Sequence, residues 1–139
     1  MEATSQASFG LPWLAISAAF ALHVFDEATS DFLDWYNPRA LRIRQLLKGL
    51  PFPPTFTFWP WLLALVAAVL ASFALTPLAF RGTGWLRTVA FAVGIIQAGN
   101  GLLHLTAAVF TRRSVPGLWS APILLSTAVW LLLTVSRRG

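Results

Sequence analysis

Residues 11–28 read LPWLAISAAFALHVFDEA. Most of this stretch is an apolar helix of nearly membrane-spanning length, and its last part, His23-Val-Phe-Asp26-Glu27, is not apolar at all. Leu11-Pro12 starts a helix well, because proline is tolerated in a first turn whose N–H groups have no partner. From Leu14 to Phe25 only Ser17 and His23 are polar. An imidazole and two carboxylates at the end of such a run are costly. A charged side chain at bilayer depth costs about 2.5–3.5 kcal/mol on insertion scales unless it is paired or wet. The matching polar groups lie far along the chain, at Asn100-Gly-Leu-Leu-His104.

The rest of the chain repeats the apolar pattern. Of 139 residues, 57% are hydrophobic and 11% charged, against about 25% charged in a soluble domain. The apolar residues fall into runs near 11–28, 56–80, 85–110 and 117–135, each close to the roughly 20 residues that a bilayer crossing requires. The fold class expected is all-α: one integral membrane domain, residues 1–139, built as a four-helix up-and-down bundle. Residues 1–10 are small and polar and are expected to fray. With no basic region before the first run, and with His, Asp and Glu at its end, that run does not read as a cleaved signal.

Between spans one and two, Arg39, Arg42, Arg44 and Lys48 alternate with Leu41, Ile43, Leu46, Leu47 and Leu50. This predicts a basic amphipathic helix near 39–50 lying flat on the headgroups, ended by Pro51, Pro53 and Pro54. Trp13, Trp59, Trp61, Trp85 and Trp119 suit the interface. Gly94, Gly99 and Gly101 in span three would let helices approach closely. Pro116-Gly117 opens span four.

Net charge is +5. The ten Lys and Arg lie between or beyond the apolar runs, with Arg87 at the very start of the third, so they read as topology signals and anchors to anionic headgroups of the lipid bilayer, with no nucleic acid partner. Arg39, Arg42, Arg44, Lys48, Arg112 and Arg113 outnumber Arg81, Arg87, Arg137 and Arg138 on the other side. The positive-inside rule then puts both termini outside and the amphipathic segment in the cytoplasm. There is no cysteine, which excludes disulfides, iron–sulfur clusters and thiol catalysis.

Topology brings the two polar stretches together. Spans one and three run in the same direction, so His23 and His104, each a turn or two before its span ends, share a depth. At about 100° per residue, Glu27 and Asp26 flank His23 on one face, and Gln97 and Asn100 share a stripe with His104. One polar pocket in an apolar bundle is predicted from these residues.

The ordered set His23-x-x-Asp26-Glu27, Asn100-x-x-x-His104 and Pro116-Gly117 resembles the signature of the HXXEE domain family of small prokaryotic integral membrane proteins. The similarity covers the chain from span one to the start of span four. Asp26 stands where the family name has Glu, and Ser114 where an aromatic often precedes the Pro-Gly. The resemblance implies a shared site and a bacterial cytoplasmic membrane location, and supplies no reaction.

Four readings of the pocket remain open. In the first, His23, Glu27 and His104 ligate a divalent metal, Zn²⁺ or Fe²⁺, with Asp26 or Asn100 completing or orienting the shell. An open position would activate water toward a lipid-like substrate. The spacing differs from the H-E-x-x-H helix of metalloproteases. In the second, His23, Asp26, Glu27 and His104 act without metal as an acid–base set for an isomerase, lyase or cyclase, with Asn100 and Gln97 binding the substrate. In the third, the ionisable groups relay protons or ions, which four short spans would manage only as a homo-oligomer. In the fourth, the polar groups merely hold helices together, at about 0.6 kcal/mol per contact. The reading favoured is an enzyme acting on a lipid-like or amphipathic small molecule.

Overall fold

The computed structural model describes residues 8–137. Residues 1–7 and Arg138, expected above to belong to a frayed end and a terminal anchor, lie outside them. Among the described residues there are six helices and no strand: α1 (Gly10–Thr29), α2 (Phe32–Leu46), α3 (Phe58–Ala74), α4 (Thr76–Phe80), α5 (Gly84–Thr111) and α6 (Ala121–Ser136). The all-helical class is as expected. One helix, α5, is long and apolar enough to cross a membrane, while α3 and α6 are apolar but shorter.

Several boundaries differ from those expected. The amphipathic helix begins at Phe32, directly after a left-handed Asp31, and takes Pro38 into its interior. It ends at Leu46, where Lys48 and Gly49 adopt positive φ, rather than at the prolines beyond. The second apolar run divides at Leu75, before Thr76-Pro77, since Pro77 supplies no N–H to the preceding turn and its ring crowds the carbonyl there. The fourth helix starts at Ala121, because residues 116–120 form a turn around Gly117, whose φ is +81°. Trp13 and Trp61 are buried, 2% and 8% exposed, and not interface anchors. Trp13 sits in the helical core and its indole N–H donates to the Ser72 carbonyl at 2.8 Å.

The helices separate chemistry by level. Phe9, Trp13 and Ile16 pack with Ala79, Leu86, Ala90, Ala128, Leu131 and Val135. These come from the start of α1, the end of α4, the start of α5 and the end of α6. Hence α1 and α5 run in the same direction and α6 runs against both. The apolar core occupies the level where α1 begins, and the level where α1 ends is left to the polar residues.

Helix α6 packs against both α5 and α1, and α1 also packs against α3 and α4. Small residues set the α5–α6 distance. A Cβ on Gly101 would lie 3.1 Å from the Ala121 carbonyl oxygen and 3.1 Å from Leu125 Cβ. One on Gly94 would meet Leu132 at 2.7 Å. Gly99 faces open space and takes no part in this approach. The close passage at Gly101 brings the start of α6, with the turn before it, against His104.

Candidate functional site

Four of the expected residues meet where α1, α5 and the 116–120 turn converge. His23, Asp26, Glu27 and His104 are all buried. The two imidazoles stand edge to face, ring centroids 4.8 Å apart. One ligand-type atom from each of His23, Glu27 and His104 lies within 4.8 Å of the other two.

The hydrogen bonds fix which nitrogen of each ring carries the proton. His104 Nδ1 lies 2.6 Å from the Pro116 carbonyl oxygen. A carbonyl only accepts, so Nδ1–H donates. The Ser120 hydroxyl donates to Asp26 Oδ2 at 2.7 Å, and His23 Nδ1 lies 2.7 Å from the same Ser120 Oγ. A longer contact from the hydroxyl to the Gly117 carbonyl, 3.2 Å, competes poorly with the charged acceptor. The hydroxyl has one hydrogen, so His23 Nδ1–H donates to Ser120. The rest of the Asp26 carboxylate is also engaged: it accepts the Ser120 backbone N–H at 3.2 Å and the Ser30 hydroxyl at 3.0 Å.

Both Nε2 atoms therefore point inward with lone pairs when the rings are neutral. They face Glu27 Oε1, at 3.1 Å from His104 and 3.5 Å from His23. His23 Nε2 is buried without a hydrogen-bond partner. Three acceptor atoms converge, and a buried polar group left unpaired costs about 1–3 kcal/mol. A cation between them removes that cost. Two ligand atoms at about 2.0–2.1 Å from a tetrahedral ion are roughly 3.3 Å apart, and the two histidine–Glu27 separations, 3.1 and 3.5 Å, bracket that value. The donor set, two imidazoles and a carboxylate, suits Zn²⁺ or Fe²⁺.

The turn before α6 is shaped around the rings. A Cβ on Gly117 would stand 2.7 Å from His104 Cε1 and 3.0 Å from His23 Cε1. Only glycine fits there, both for its positive φ and for this contact. Pro116-Gly117 thus does more than turn the chain: Pro116 supplies the carbonyl that orients His104, and Gly117 supplies the space for both rings.

An aromatic wall closes the other side. Phe32 stacks on Trp61 and Tyr36 and packs against His104, ring centroids 5.8 Å apart. Trp35 stacks near His104 at 6.5 Å. Two cavities flank this wall. One, of about 230 Å³, shows Glu27 together with Asp31, Asp34 and Asn37. The other, of about 420 Å³, is mostly apolar and shows His104, Asn100, Leu103 and Arg39.

Asn100 lies one turn before His104 in the wall of the apolar cavity. Gln97 is not brought to the cluster. It is buried beside Trp13, Ser17 and Ser72, and its Oε1 has no partner. Asp31 and Asp34 are exposed. Sequence reasoning missed Ser120, because a serine at the start of an apolar run reads as a helix cap. It also missed Phe32, Trp35 and Tyr36, which read as part of a connection. The helical spacing of α2 was the available signal for the aromatics; nothing in the sequence marked Ser120.

No curated protein and no solved structure matches the chain. A family model described as a protein of unknown function with HXXEE motif matches residues 13–131, which include every residue of this cluster, and the chain belongs to that family.

Proposed function

We propose that this protein binds a divalent metal through His23, Glu27 and His104, inside a four-span membrane bundle, and acts as an enzyme on a lipid-like or amphipathic small molecule. The observation that carries the proposal is the convergence of both Nε2 atoms on one Glu27 oxygen, with His23 Nε2 buried and unpartnered. Both Nδ1 atoms are spent on Ser120 and Pro116, and both Nε2 atoms face the same carboxylate oxygen. Backbone and second-partner hydrogen bonds of this kind are how metal-ligating histidines are normally oriented.

The membrane reading rests on what the helices expose. Leu63, Leu70, Ile96, Leu103, Val109, Phe110 and Leu133 are apolar and outward-facing. Helices α1, α5 and α6 and the broken pair α3–α4 then serve as the spans, and α2, with Arg39, Arg42 and Arg44, lies at the headgroups. The charge balance favours the cytoplasmic side of a bacterial membrane for α2.

A bound Zn²⁺ or Fe²⁺ would polarise a substrate oxygen or lower the pKa of a coordinated water. Asp26 acts through Ser120 to hold His23 in its ligating tautomer. Pro116 does the same for His104. The aromatic wall keeps bulk water from the His104 side, and Asn100 offers an amide to a substrate in the apolar cavity.

A second reading keeps the same residues without metal. The 3.1 Å contact between His104 Nε2 and Glu27 Oε1 also suits a shared proton, and thus acid–base chemistry on a similar substrate. Elemental analysis of detergent-purified protein separates the two, alongside His104→Ala and Glu27→Gln. About one equivalent of metal in the parent and none in the variants is expected of a three-ligand site. A parent that stays metal-free after loading at neutral pH overturns the metal reading and leaves the proton-sharing pair.

A further inference from the structure

The two cavities at the cluster differ in charge, and the difference selects what enters each. The smaller one presents Glu27, Asp31 and Asp34. An anion approaching there meets three carboxylates. The larger one is walled by Phe32, Trp35, Ile43, Leu103 and Ala107 and ends on His104. Its volume of about 420 Å³ falls within the roughly 300–1,000 Å³ typical of sites for small organic ligands. Apart from His104, Arg39 is the one ionisable cation in its lining.

Arg39 is held in place. Its guanidinium lies over the Trp35 ring, 4.4 Å from the centroid, and one N–H donates to the Trp35 carbonyl at 2.5 Å. The group is exposed, and its remaining N–H donors are free to meet a carboxylate or phosphate in forked geometry. Leu103, in the same wall, is mostly exposed on the outer face of α5. The cavity thus opens between α2 and α5 at the level where a basic amphipathic helix meets an apolar one.

We propose that this cavity binds a single-chain anionic amphiphile, such as a fatty carboxylate or a monoacyl phosphate, with its chain along Ile43, Leu103 and Ala107 and its anionic group on Arg39. The proposal rests on the functional reading above, whose substrate it places in this same cavity, but binding itself does not need the metal. Entry is lateral, between α2 and α5. The acidic cavity remains the aqueous side of the cluster, and Phe32, which lines both, separates the two.

The test is photolabelling of the full-length protein in phosphatidylcholine nanodiscs with a diazirine-bearing stearate, mapped by mass spectrometry. Label is expected in peptides from α2 and from residues 100–107 of α5. Oleate should displace it and oleyl alcohol should not. Arg39→Gln should weaken labelling about tenfold, the loss of one charge-assisted interaction. Ala107→Trp should block the cavity and abolish labelling. Label spread equally over the outward faces of α3 and α6 would overturn the proposal. So would equal competition by the alcohol, or an Arg39→Gln protein that labels like the parent. If Ala107→Trp does not fold, the two competitors and Arg39→Gln still decide. The same labelling on Glu27→Gln, with metal content measured in parallel, keeps the two proposals apart. Labelling without metal in any preparation sinks the metal centre alone; metal without labelling sinks the amphiphile site alone.

Discussion

Gly117 lies so close to His104 that a Cβ on the glycine would stand 2.7 Å from the imidazole Cε1 and 2.8 Å from Nδ1. The same position has a φ of +81°. A turn residue and a buried ring are therefore coupled sterically, and the Pro-Gly pair is part of the cluster rather than a connection to it.

Gly117→Ala tests this coupling. The left-handed backbone costs an L-residue about 1–2 kcal/mol, and overpacking adds about 1–3 kcal/mol. A clear fall in thermal midpoint is expected, together with loss of bound metal as both rings are displaced. Differential scanning fluorimetry and elemental analysis measure the two effects. A variant with the parent's midpoint and metal content would show that the rings do not depend on this turn.

Ser120→Ala removes the link between Asp26 and His23. Asp26 keeps the Ser120 backbone N–H and the Ser30 hydroxyl, but His23 Nδ1 loses its acceptor. Changes to such orienting partners typically lower metal affinity by about 10–100-fold. The fold should survive. Competition with a chromogenic chelator reads the affinity, and an unchanged affinity would mean that Ser120 is only a packing residue.

Glu27→Gln replaces the one oxygen that both Nε2 atoms face with a neutral amide of the same shape. Metal content should be lost while elution from size exclusion stays that of the parent. If Glu27→Gln instead loses thermal stability and nothing else, the cluster serves to hold α1 to α5.

Gln97→Leu should be silent at the site. Gln97 lies in a small void beside Trp13 and Ser17, with its Oε1 unpaired. Replacing an unsatisfied buried polar group by an apolar one of similar size is neutral or stabilising. The thermal midpoint should hold or rise, with metal content unchanged. Loss of metal here would mean that the polar stripe on α5 acts as one unit with His104.

Much of this was legible in the chain itself. Periodicity and composition marked the helices, and parallel direction put His23 and His104 at one level, because each lies a turn or two before the end of its span. The spacing His23 to Glu27 placed carboxylate and imidazole on one face for the same reason. The amphipathic segment was recognisable from its alternating bases and leucines, though its start was not. A left-handed Asp31 and a tolerated Pro38 are decided by what the helix docks on, not by local preference.

Only the tertiary structure decided which polar residues share the cluster. Gln97 and Asn100 lie on one stripe of α5, yet one is turned to Trp13 and the other to the apolar cavity. That depends on how α5 is turned against its neighbours, and Gly94 and Gly101 set its close approach to α6. Ser120 and the Pro116 carbonyl entered for the same reason. Hydrogen bonds across helices depend on distances of a few tenths of an ångström, which a sequence period does not carry. The chain by itself named the ligand-type residues; the packing of α6 on α5 and α1 fixed their tautomers and aimed both imidazoles at a single carboxylate.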